Sequence, residues 1–127
     1  MIRPQYHFRN SPDGLRAWDV RRLVELARDL PVIDVPLSDI TELDEDYWFD
    51  NNLDQPTARR VAGHAKQIYD ADLSYPILLC ADGRIMDGMH RVCRAVLSGH
   101  QTIRAKRFTV TPPHDYLGKG PDELPYD

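Results

Sequence analysis

Residues 83–100 read GRIMDGMHRVCRAVLSGH, and the interpretation of the rest of the chain turns on them. Asp82-Gly83 just before them is a strong turn signal. It joins "YPILLCA" (75–81), a continuous apolar run of strand length, to "RIMD" (84–87), so a buried strand and a second hairpin arm are expected. Gly88 breaks that arm. From His90 to Ser98 the pattern turns helical, with Val92, Ala95 and Val96 predicted inward. Gly99 stands where a helix end favours a left-handed residue. "TIRAKRFTV" (102–110) then alternates as a final strand.

The strand-to-helix corner Asp87-Gly88-Met89-His90-Arg91 has the chemistry of a phosphate cradle. A helix beginning after a glycine has free backbone N–H groups in its first turn, with the positive end of the macrodipole behind them. Gly88 permits close approach to the backbone, His90 is a further donor, and Arg91 has a planar fork suited to phosphate. The competing interpretation is a tight turn with a surface arginine and a capping histidine. Asp87 has two readings as well, as a metal or ribose contact or as a cap for the helix.

Upstream, Pro4, Pro12 and Gly14 predict an irregular arm over residues 1–14. Trp18, Leu23, Leu26, Ala27 and Leu30 recur at helical spacing and predict a helix from Leu15 or Ala17 to Leu30, ended by Pro31. "VIDVPL" (32–37) reads as a strand, and a helical turn begins near Ser38. The acidic stretch 38–56 carries Tyr47, Trp48 and Phe49, which either stack on a ligand or anchor a long loop to the core. Pro56-Thr57 opens a helix over about 57–70. Val61, Ala65 and Ile68 form its apolar stripe, and Thr57, Arg60, His64 and Gln67 lie on the adjacent face. The tail from 111 is rich in Pro, Gly and acid and is expected to wrap the surface or hang loose.

The chain's 127 residues fit one modest core, with 15–110 as the body and 111–127 as a surface tail. The order of elements predicts a small α+β domain, with a mixed sheet of about four strands and about three to four helices. A net charge of −4 argues against a nucleic-acid surface, so DNA is not an expected partner. No apolar run reaches the roughly 18 residues of a membrane span, and the first residues lack the apolar core of a secretion signal. Cys80 and Cys93 form no CxxC pair, which points to buried thiols in a reducing cytoplasm. The histidines show no metal-ligand spacing, so no histidine-rich metal site is expected.

The segment IMDGMHRVCRAVLSGHQTIRAKRF (85–108) resembles the signature of the ParB/sulfiredoxin-like superfamily. Its Asp-Gly-x-His-Arg form is similar to that of free serine kinases of this fold. "DVPLSDI" (34–40) and "TARRVAGHAKQI" (57–68) resemble the first strand and the nucleotide-contacting helix of sulfiredoxins. The resemblance implies ATP or another nucleotide, with Mg²⁺, its phosphates held by Gly88, His90 and Arg91 in the Asp87-Gly88-Met89-His90-Arg91 corner; by their face on the helix, Thr57, Arg60, His64 and Gln67 are the residues to complete the pocket. By themselves Arg60 reads equally as a solvated charge and His64 as a partly buried helix histidine. Relatives with kinase activity use a loop carboxylate as base, which nominates Glu42 and Asp44; a solvated acidic loop is the competing interpretation.

The departures bear on function. Met89 stands where sulfiredoxins have their catalytic cysteine, which argues against sulfinic acid reduction. Too few residues follow the last strand for the DNA-binding region of a partition protein. The expectation is a nucleotide- or phosphate-binding domain, either a small Mg²⁺-dependent phosphotransferase or NTPase, or a non-catalytic sensing or protein-interaction module. A nuclease is the weaker alternative.

Overall fold

In the computed structural model, residues 5–49 and 54–126 are described. Residues 1–4 of the predicted arm and 50–53 of the predicted loop lie outside them. Most of the rest of the predicted arm is a strand. Residues Tyr6–Ser11 (β1) pair antiparallel with Gly14–Asp19 (β2) in a register that sets His7 opposite Trp18. Pro12-Asp13-Gly14 is a turn signal, and Gly14 takes the left-handed φ of +126° that closes the hairpin.

The predicted first helix is correspondingly shorter. Residues 15–19 are strand, and the helix α1 runs Val20–Leu26, capped by the Asp19 carboxylate on the Arg21 N–H at 2.9 Å. Apolar spacing could not see the partners that claim residues 15–19. These are β1 on one side and the tail on the other, where Tyr116–Leu117 (β7) pairs with β2. The tail therefore wraps rather than hangs loose. Asp115 accepts from the Asp19 N–H and from Arg22, Trp18 donates its indole N–H to the Pro112 carbonyl, and Leu124 is buried.

The second sheet is the mixed four-stranded one the alternation predicts. It contains Ile33–Pro36 (β3), Ile77–Leu79 (β4), Ile85–Asp87 (β5) and Thr102–Arg107 (β6), in the order β3-β6-β4-β5. β4 runs parallel to β6, and the outer pairs, β3 with β6 and β4 with β5, are antiparallel. Pro36 is tolerated because β3 is an edge strand. Helix α3 (Met89–Leu97) covers one face with Met89, Val92 and Ala95, against Ile77 and Leu79. Leu23 and Ala27, on and just after α1, cover the other with Trp18, against Leu78 and Cys80. Both faces are covered, so β4 reads as one unbroken apolar run.

Two predicted apolar stripes lie elsewhere. Val96 is solvent-exposed, one step around α3 from the buried pair. Helix α2 (Ala58–Asp70) keeps its predicted bounds and its Thr57 cap, but none of its side chains is buried, and Val61 and Ala65 face solvent. Cys80 is buried, Cys93 is half-buried, and neither is in a disulfide. Among the described residues no helix is long and apolar enough to cross a membrane.

Candidate functional site at the first turn of α3

Gly88 is the N-cap of α3, at φ +111°, and among the described residues no side chain caps the helix. The first turn opens into a cleft of about 740 Å³, walled by β1, the 42–48 segment, β5 and the corner itself. Asp87, Gly88, Met89 and His90 all line it, as does the predicted acid Glu42. A second cavity of about 470 Å³ holds Arg60, His64 and Gln67 together with Phe49 and Asp54. Trp48 lines both. Asp44 and Arg91 line neither, and Thr57 is spent on capping the Arg60 N–H at 3.2 Å.

Arg91 does not face the cleft. Its guanidinium donates to the carbonyls of Tyr75 (3.1 Å) and Pro76 (2.8 Å) and to the Asp87 carboxylate (2.7 Å), with 17% of the side chain exposed. The fork that suits phosphate is here tying the start of β4 to the end of β5. Asp87 is claimed by the same contact, an i,i+4 pair within the corner. Arg91→Ala leaves two carbonyls and a carboxylate without their charged donor. We expect a loss of about 1–3 kcal/mol, read as a lower urea midpoint at unchanged m.

Glu42 is likewise engaged. It is 2% exposed, and its Oε2 accepts from the Ile85 N–H at 2.6 Å. β5 is the edge of its sheet, so the outward N–H and C=O of Ile85 have no neighbouring strand. Glu42 meets the first, and Arg9 Nη2 meets the second at 3.1 Å. Arg9 also donates Nε–H to His7 Nε2 at 2.9 Å. Burial, then the nearby guanidinium groups of Arg9 and Arg84, hold His7 neutral and push its pKa down to about 3. Arg84 in turn grips Glu45 at 2.8 Å across the mouth of the cleft.

His90 and His64 meet. His64 Nδ1 and His90 Nε2 are 2.8 Å apart, the ring centroids are 5.1 Å apart, and the planes differ by 21°. The two facing nitrogens thus lie between near-coplanar rings, the geometry of an in-line imidazole–imidazole hydrogen bond. The Trp48 indole lies flat across both rings, at 4.3 Å from His64 and 4.7 Å from His90. Phe49 sets its edge against His64 at 5.4 Å. Burial lowers the pKa of both histidines. A second lowering, from His64 itself, brings His90 to about 4. Burial also pushes the Tyr47 hydroxyl up to about 12.

Of the residues nominated from sequence, the structure thus brings together Asp87, Gly88, Met89, His90 and Glu42 at one cleft. It adds His64 and Arg60 on the adjoining cavity. Sequence reasoning missed the contribution of β1, because the segment was read as an irregular arm; its turn signal and the alternation of "YHFRN" were the available clues. Among the described residues no group of three or more His, Cys, Asp or Glu side chains is placed to hold a metal ion. Comparison with protein-family models, curated proteins and solved structures finds no match to this chain.

Proposed function

We propose that the protein binds a small phosphorylated ligand in the cleft, with the phosphate at the first turn of α3. The observation that carries this reading is the uncapped helix start, which opens beside His90 into a cleft of about 740 Å³. The resemblance to the ParB/sulfiredoxin-like superfamily narrows the ligand class to a nucleotide, with Mg²⁺ travelling on its phosphates rather than held by the protein. Binding without turnover is the favoured form of the proposal. Glu42 lines the cleft but is buried and committed to the Ile85 N–H, and Asp44 lies outside the cleft lining, which weighs against either nominated base. Phosphotransfer is the second reading, and it rests on Asp46, which is exposed on the cleft wall with its Oδ1 accepting from the Phe49 N–H at 3.0 Å.

The test is thermal denaturation of the full chain with ATP, ADP, CTP and GTP, each with and without Mg²⁺. A ligand at ten times its Kd stabilises the folded state by about 1.4 kcal/mol, a rise of about 5 °C for a chain of this size. The amide resonances of Met89, His90 and Arg91 are expected to shift with the same ligand. Unchanged melting and unmoved amides with every nucleotide would overturn the proposal.

A further inference from the structure

The His64–His90 pair joins two helices and has one ring on each of the two cavities. His64 lines the smaller cavity and His90 the larger, while Trp48 lies over both rings and lines both spaces. Helix α2 has no buried side chain with which to hold itself in place. Beyond the His64–His90 contact and ordinary helix packing, the polar and ring contacts described between it and α3 are the Arg94 hydrogen bond to the Tyr69 carbonyl at 2.8 Å and the stacking of Arg94 on the Tyr69 ring. Both of those lie at its far end.

We propose that His64 and His90 form a proton-operated latch, closed while the pair carries no more than one added proton and opened by the second, which frees the N-terminal half of α2 with Trp48 and joins the two cavities. The proton count follows from the geometry. In the neutral pair one of the two facing nitrogens carries hydrogen and the other accepts. A first added proton goes to the outward nitrogen of the donor ring. The contact survives, now charge-assisted, under an indole face that favours a cation. A second proton must go onto the accepting nitrogen. Two N–H groups then face each other, and two imidazolium charges sit side by side.

The surroundings of the pair fix the direction of the effect. On the side of the smaller cavity, Arg60 of α2 shares the lining with His64, and the Asp54 carboxylate favours the charged form of His64, more weakly than burial opposes it. On the α3 side, Arg91 neutralises Asp87. Across the cleft stand Arg9 and His7 from β1 and the Arg84–Glu45 pair, with Asp46 on the loop wall. Both histidines are held below the ordinary value, so the stability they contribute is complete above about pH 6.5. It is lost as pH falls through the depressed values, the last of it near the His90 value of about 4. The latch is independent of whether a nucleotide binds.

The experiment is a pH titration of the full chain, labelled with ¹⁵N at histidine and backbone, from pH 8 to 3.5. His64 is expected to titrate first and His90 last, with the amides of residues 58–64 moving in step with His90. His64→Phe keeps a ring under Trp48 but can neither share nor take a proton, and it lies on a helix with no buried side chain. In that variant His90 is expected to titrate closer to an ordinary histidine, and the acid step in the α2 amides is expected to vanish. Two results would overturn the latch. One is that both rings titrate independently near pH 6.5. The other is that the acid step persists in His64→Phe, which would assign it to carboxylates elsewhere.

Discussion

Gly88→Ala is expected to cost the fold about 3 kcal/mol or more, the sum of left-handed backbone strain of about 1–2 kcal/mol and overpacking of about 1–3 kcal/mol. An ideal Cβ at this position would sit 2.6 Å from Ile77 Cγ2 and 3.1 Å from Arg91 Nη2. Neither neighbour can withdraw. Ile77 is fully buried in the centre of the sheet, and Arg91 is held by two carbonyls and a carboxylate. The φ of +111° adds strain for any L side chain. Gly99→Ala is the control. Its φ is +77°, but open space surrounds it, so only the backbone term of about 1–2 kcal/mol applies. Urea denaturation of both variants checks this, and equal midpoints would mean that the contact with Ile77 is irrelevant.

Glu42→Ala is the second large effect. The change leaves the Ile85 N–H without an acceptor at the edge of β5, in a spot where the side chain it replaces is 2% exposed. A lost charged acceptor to a buried donor costs about 1–3 kcal/mol, and the vacated volume adds about 1 kcal/mol or more. Glu42→Gln keeps an acceptor of the same shape and is expected to recover more than half of the loss. If Glu42 served only as a base at the cleft, both variants would melt like the parent and differ only in turnover. Amide exchange at Ile85 separates the two cases, because the structural role predicts faster exchange in the alanine variant.

Much of the second sheet was legible from residues 75–110. An apolar run, a two-residue turn signal, a glycine break and a helical stripe are all local features. The structure places β4, β5 and α3 within two residues of the expected bounds, and β6 starts where expected but ends earlier, at Arg107. The helix at 57–70 was legible for the same reason, its cap being written in Thr57. Residues 6–19 were misread because their strand character comes from a partner on the neighbouring strand and from the tail about a hundred residues away. Helical spacing of Trp18, Leu23 and Ala27 there is a coincidence of two elements that bury their apolar residues in one cluster.

The sequence alone determined which residues crowd the corner: Asp87, Gly88, His90 and Arg91 are neighbours in the chain, and the strand-to-helix transition gathers them. Only the tertiary structure decided what each one faces. Arg91 and Glu42 have the right chemistry for a ligand, yet backbone groups claim them: two carbonyls at the start of β4 and an N–H on the open edge of β5. His64 and His90, 26 positions apart, meet ring to ring because α2 is laid against α3 and Trp48 closes over both. The reason is physical. Local periodicity follows from the geometry of one element, whereas the partner of a polar side chain depends on which unsatisfied backbone group or ring the fold carries to it.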